Sequence, residues 1–187
     1  VTIDLATWAG TSFLLEASGN SNNATWTLKD RDTNAVLTSA SINNSTTSVT
    51  INGSAQGDDI YITGASVFGT DGNGAVTTNL PAPLSFVGNA GVDVVTFSGN
   101  TAVTGDLSVD AESISVNSSI QIDSTTVVSL SAAASTGTQS NTGASPSSSG
   151  TNSASVSVSG KVTAPEITIT AATSGSVTTK SDYGLLL

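Results

Sequence analysis

Cysteine, methionine and histidine are absent from this 187-residue chain, and each absence closes off chemistry. Without cysteine there is no disulfide framework and no thiol nucleophile. With histidine missing too, the common catalytic triads and most zinc sites are excluded. Charge is scarce: Asp, Glu, Lys and Arg supply 10% of the residues, against roughly 25% in an ordinary globular domain. Four basic residues (Lys29, Arg31, Lys161 and Lys180) cannot line a phosphate-binding surface, so nucleic acid and anionic membrane are poor partners. The net charge of −10 comes from acids scattered singly among turns. No run approaches the roughly 18 apolar residues of a membrane span, and no basic-then-apolar leader opens the chain, so membrane insertion is not expected. A first residue of Val1 is what a processed chain or an excerpt of a longer one would have.

What remains is β-branched and small. Short alternating segments recur at Val49-Thr50-Ile51, Ile60-Tyr61-Ile62, Val94-Val95-Thr96-Phe97, Leu107-Ser108-Val109, Ile114-Ser115-Val116, Ile120-Gln121-Ile122, Val127-Val128-Ser129-Leu130 and Ile167-Thr168-Ile169. Such alternation marks strands with one buried face, and it separates this chain from a disordered one of similar polarity. Helical spacing of apolar residues is absent. The tightest run centres near residues 108, 115, 121 and 129, steps of 7, 6 and 8. That is too short for a hairpin with its loop and suits one straight edge and corner of a coil. The expected fold is therefore all-β, a parallel β-solenoid, with an antiparallel β-sandwich as the alternative.

Three regions stand apart. Residues 1–46 hold both tryptophans, Trp8 and Trp26, and read as an aromatic-rich cap or a set of wider coils. Within them, Ala24–Leu28, Lys29–Asn34 and Ala35–Thr38 read as strand, polar turn and strand. Residues 47–187 form the body, in which Gly53–Ile62 and Gly88–Phe97 look like two copies of one unit. Between those copies, Phe68–Gly74 reads as a lateral loop and Pro81-Ala82-Pro83 as an extended corner. A Ser/Gly-rich stretch at about 131–153 reads as a loop thrown out of a corner, since it has too little apolar surface to order itself.

Candidate sites are few. Gly88-Asn89-Ala90-Gly91-Val92-Asp93-Val94-Val95-Thr96 fits the calcium-binding nonapeptide G-G-x-G-x-D-x-U-x except at Asn89. Residues 54–62 keep only its fourth-position Gly57 and Asp59. Asp59 and Asp93 are thus the metal-ligand candidates, with Ca²⁺, a hard ion that takes oxygen ligands, as the one cofactor considered. The plainer reading is a glycine-bearing turn whose Asp bonds its own backbone, with no cofactor. Asp106, Asp110 and Glu112 are the closest acids for polysaccharide cleavage and would share a face on an uninterrupted strand. No aromatic for sugar stacking lies near them, so no enzyme is expected. Thr168 and Thr170 raise an ice-matching face, which Ser115, Gln121 and Ser129 interrupt. N-x-S/T sequons such as Asn23-Ala24-Thr25 and Asn117-Ser118-Ser119 are what chance gives in a chain so rich in Asn, Ser and Thr.

Thr104–Asn117 and Val162–Ala171 resemble repeats of giant bacterial surface proteins of the filamentous-haemagglutinin-like adhesin type. The resemblance covers roughly residues 47–180 and rests on repeat style. It implies a right-handed parallel β-helix at a cell surface or secreted, acting as an adhesin or stalk toward a cell-surface protein or glycan. It carries no catalytic residue across.

The two ends suggest assembly. An uncapped coil exposes strand edges and core side chains. The chain starts on Val1, Ile3 and Leu5 and stops at Leu185, Leu186 and Leu187, so either it continues or its ends dock head to tail in a filament.

Overall fold

The computed structural model describes residues 1–19, 22–43, 45–63, 80–134, 153–173 and 180–181. Strands come in successive passes. The first pass holds β1 (Thr2–Asp4), a single 3-10 turn (Leu5–Thr7), β2 (Ser12–Gly19), β3 (Asn23–Asp30) and β4 (Val36–Asn43). The second holds β5 (Val49–Asn52) and β6 (Asp59–Ile62); the third, β7 (Leu84–Val87), β8 (Val94–Phe97) and β9 (Thr101–Val103). Next come β10 (Leu107–Ala111), β11 (Ser113–Val116) and β12 (Gln121–Ser124), then β13 (Val127–Ala134), β14 (Ser155–Val158) and β15 (Lys161–Thr163). The last is β16 (Glu166–Thr173) with β17 (Lys180–Ser181).

These strands make an all-β molecule of three sheets, none closed into a barrel. The six-stranded sheet, ordered β1-β5-β7-β10-β13-β16, is parallel at every pair. So is the three-stranded sheet β15-β12-β9. The eight-stranded sheet is mixed: parallel from β17 through β14, β11, β8 and β6 to β2, then antiparallel from β2 to β3 and β4. Parallel neighbours cannot be joined by a tight hairpin and need a crossover of a dozen or more residues. Here the crossover runs through the other sheets.

The closely spaced run makes this plain. β10, β11 and β12 lie in the six-, eight- and three-stranded sheets in turn, and β13 returns to the first. All of their pairs are parallel, so an antiparallel sandwich is not what these residues build. With so few residues between strands, the chain has room to turn a corner but not to fold back on itself.

Parallel register stacks like on like. Ile3, Ile51, Phe86, Val109, Leu130 and Ile169 form one column of the six-stranded sheet. Phe13, Ile60, Val95, Ile114 and Val156 form another across the eight-stranded sheet. The members of these two columns are buried except Ile169, which is half-buried at the last described pass. Removing each such side chain from water is worth roughly 1.5–3 kcal/mol, which is how short strands hold together.

The N-terminal region joins this core rather than standing beside it. β1 and β2 open the six- and eight-stranded sheets, and Phe13, Leu15, Trp26 and Leu28 are fully enclosed. β3 and β4 pair as the expected hairpin. At its turn, Asp30 Oδ1 accepts both the N–H and the hydroxyl of Thr33 at 2.7 Å, and Asn34 takes the left-handed conformation at φ 58°. Farther along, Pro81 and Ala82 are buried, and Leu80 bridges in parallel to Val103. β13 runs to Ala134, past the expected start of the Ser-rich loop near 131. Residues 135–152, the lateral loop Phe68–Gly74 and Leu185–Leu187 lie outside the described residues. Among the described residues no helix is long and apolar enough to cross a membrane.

Candidate functional site: a buried column of carboxylates

β6, β8 and β11 begin in register, with Asp59 beside Val94 and Val94 beside Ser113. The residues just before them, Asp58, Asp93 and Glu112, therefore fall in one column at the same corner of three successive passes. The backbone ladder runs through that corner: Val94 N–H donates to Asp58 O at 2.7 Å, Ser113 to Asp93 O at 3.0 Å and Ser155 to Glu112 O at 2.9 Å. All three acids are buried, at 1%, 0% and 8% exposure.

Each carboxylate reaches toward the pass before it or into its own turn. Asp93 Oδ1 accepts the backbone N–H of Asp58 at 3.0 Å, and Glu112 Oε2 accepts that of Asp93 at 2.7 Å. Asp58 bends back instead, taking the Ser54 N–H at 2.6 Å and the Ser54 hydroxyl at 3.1 Å. The turns leave room for this because they carry glycine. A Cβ on Gly88 would lie 2.6 Å from Asp93 Oδ2 and 2.8 Å from the Asp110 carbonyl oxygen. Gly91, at φ 110°, lies so close to the preceding turn that a side chain would run into the backbone of Gly57.

Two buried carboxylate oxygens are left over among the described residues, Asp59 Oδ1 beside the column and Asp93 Oδ2 within it. Asp93 Oδ2 is buried with no hydrogen-bond partner. Burial pushes the Asp93 carboxyl up to about 6; the Asp58 N–H opposes this, the charges of Glu112 and Asp58 add to it, and the Asn89 N–H opposes it least.

Asp59 and Asp93, the expected metal ligands, are each bound to a different group through one oxygen. Asp59 is half-buried: its Oδ2 lies 3.0 Å from Arg31 Nη1 and its Oδ1 is enclosed, while Arg31 lies 3.5 Å from the centre of the Tyr61 ring. Burial raises the Asp59 carboxyl and Arg31 opposes the rise. The structural counterpart of Asp93 is Asp58, one position earlier than the match to the motif suggests. Among the described residues no three acids lie where they could hold a metal ion. Arg31 takes only Asp59 Oδ2 and the Asp58 N–H only Asp93 Oδ1, so Asp59 Oδ1 and Asp93 Oδ2 are each buried without a partner.

Asp106, Asp110 and Glu112 do not share a face either. β10 ends at Ala111, so the alternation is interrupted and Glu112 turns inward. Asp106 and Asp110 stay exposed, Asp106 accepting the Thr126 hydroxyl. Of the residues considered for assembly, Ile3 and Leu5 are buried in the core, and Val1 is exposed with its ammonium bonded to Ser48 O at 2.7 Å. Among the described strands β1 is at the edge of its sheet, with Ile3 turned into the core.

Sequence reasoning missed one feature of the outer face. Thr2, Thr50, Ser85, Ser108, Ser129 and Thr168 stand in a single register column, a hydroxyl on each pass. The neighbouring column, Asp4, Asn52, Val87, Asp110, Ser131 and Thr170, is mixed, so no repeated T-x-T array is formed. The signal for both columns is the register itself, which no fixed sequence period reveals.

Compared with protein-family models, with curated proteins and with solved structures, the chain matches none.

Proposed function

We propose that this chain is a non-catalytic structural segment of an extracellular bacterial surface protein, wound as a parallel β-solenoid and serving as a stalk or adhesive face. The observation that carries it is the register: each pass through the sheets lays apolar residues on those of the pass before inside, and hydroxyls on hydroxyls along one outer column. Parallel stacking of this kind lengthens a molecule by about 4.8 Å per pass without requiring a wider core. We take the winding as right-handed, the hand that parallel crossovers adopt. The acids that might have done chemistry are either enclosed in the corner column or scattered on the outside. The outer face of the six-stranded sheet offers hydroxyls and amides, which suit a glycan or a polar protein surface.

The test is retention of the purified chain, coupled to beads, on immobilised polysaccharides and on cells. Adhesion predicts specific retention on at least one of these surfaces, and a passive stalk predicts none. Reproducible polysaccharide cleavage that is lost in Asp110→Asn would overturn the non-catalytic reading.

A second reading, a head-to-tail filament subunit, is favoured by the last described pass. β16 is an edge strand, Ile167 is 37% exposed, and Val162, Ile169 and Ala171 are only partly covered. Light scattering of the chain with and without Leu185, Leu186 and Leu187 separates the two. Filaments that vanish on deletion favour self-assembly, and a monomer in both cases rules it out.

A further inference from the structure

We propose that the Asp58–Asp93–Glu112 column is a proton-operated lock, which holds a proton on Asp93 Oδ2 and tightens the corner between passes on acidification. Three carboxylates occupy successive levels of one parallel ladder, about 4.8 Å apart, in a place that water scarcely reaches. Three stacked negative charges at that spacing, out of water, repel strongly and lack solvation. Taking up one proton relieves both costs.

The geometry says which atom takes it. Asp58 is committed to Ser54 through both oxygens. Glu112 uses Oε2 on the Asp93 N–H, and Asp93 uses Oδ1 on the Asp58 N–H. Within the column Asp93 Oδ2 alone is enclosed and unbonded, at the middle, where it feels a carboxylate on each side. A proton placed there also leaves intact the bond that Oδ1 makes to the earlier pass.

The groups facing Asp93 are few. From the pass before, Asp58 faces it, while Asp59 turns its Oδ2 to Arg31. From the pass after, Glu112 faces it, while Asp110 is exposed and presents only its carbonyl to the Gly88 N–H. The ion pairs formed among the described residues, Lys29 with Glu16 and Arg31 with Asp59, include none of the three. Among the described residues no basic side chain pairs with the column as the proton would.

The direction follows from the raised carboxyl. Asp93 in the folded chain holds its proton to about pH 6, whereas an unfolded Asp releases it near 3.8. The lock is therefore fully engaged below about pH 4, weakens as pH rises through 6, and is lost above it.

The test uses the whole chain, labelled with ¹³C at Asp side chains, with the Asp93 carboxyl followed by NMR from pH 3 to 8 and thermal melting measured alongside. The expected result is an Asp93 resonance titrating well above the ordinary carboxylate range, with a Tm that falls between pH 5 and 8. Asp93→Asn, which keeps an acceptor and places a donor where the proton sits, is expected to lose most of that fall in Tm, keeping only what the raised Asp59 carboxyl contributes. An Asp93 resonance that titrates in the ordinary range overturns the proposal, and this readout needs no variant to fold. The same falling Tm retained in Asp93→Asn also overturns it. So does a Tm raised by Ca²⁺ in the wild type and not in the variant, since a metal ion would then be the occupant.

Discussion

The backbone N–H of Asp58 donates to Oδ1 of Asp93 at 3.0 Å, across 35 residues of sequence, and both residues are buried. This bond ties one corner to the next independently of the strand ladders. It exists because glycine lets each turn approach its neighbour, and the first prediction follows from that closeness.

Gly88→Ala is expected to destabilise the fold by about 1–3 kcal/mol, the usual cost of overpacking. Its new methyl would sit 2.6 Å from Asp93 Oδ2 and 2.8 Å from the Asp110 carbonyl, and the second of these is backbone that cannot swing aside. Gly10→Ala is the control: its nearest neighbour would be Asp30 Oδ2 at 3.4 Å, an ordinary contact. Chemical denaturation of the two variants should separate them clearly, and equal stabilities would mean that the corner is not packed as described.

Asp30 is expected to hold the β3–β4 turn only when ionised. Bonds from the Thr33 N–H and the Thr33 hydroxyl keep its carboxyl below the usual 3.8; desolvation opposes them, and the Asp32 N–H adds the least. A depressed carboxyl contributes stability above its unfolded value and loses it as pH falls through the folded one. Hydrogen exchange at the hairpin should therefore speed up in Asp30→Ala relative to wild type at neutral pH. The difference should shrink as pH falls below the ordinary carboxylate value, and a constant difference would assign the effect to shape rather than charge.

Arg31 is the one described cation with two partners, Asp59 and the Tyr61 ring. Arg31→Ala is expected to cost about 0.5–1.5 kcal/mol at low salt, since an exposed pair and a surface cation–π contact are each modest. Arg31→Lys should recover only part, because an ammonium cannot lie flat on the ring while bonding a carboxylate. Raising salt toward 1 M should narrow the gap between wild type and Arg31→Ala. A gap untouched by salt would point to lost packing alone.

Much of this fold is readable from local pattern. The alternation at Leu107–Ala111, Ser113–Val116 and Gln121–Ser124 fixes which residues face inward, and the short steps between them exclude hairpins. The Asp30 turn is equally local, since a polar run between two alternating strands already spells a hairpin. The corner column was not readable. Asp58, Asp93 and Glu112 align only because passes of unequal length return to the same register, and a motif match fixed on Asp59 lands one residue away. The inward turn of Glu112 is similar: parity along the sequence fails where β10 stops at Ala111 and the chain bends. Local pattern specifies strands, whereas the column depends on how far each connection carries the chain before it returns.

Leu130 and Ile169 are register partners in the six-stranded sheet, yet one is fully buried and the other only partly. Leu130→Ala is expected to cost about 2–5 kcal/mol, the transfer loss plus a cavity walled by the passes on both sides. Ile169→Ala should cost nearer 1 kcal/mol if its outer side faces water, because a half-exposed side chain gains less from folding and leaves no closed cavity. The comparison also reports on what covers the last described pass. Should Ile169→Ala cost as much as Leu130→Ala, something shields Ile169, and protein concentration identifies it. A cost that grows with concentration would come from a second copy seated on β16 and would support filament growth. A large cost independent of concentration would place the cover within the same chain.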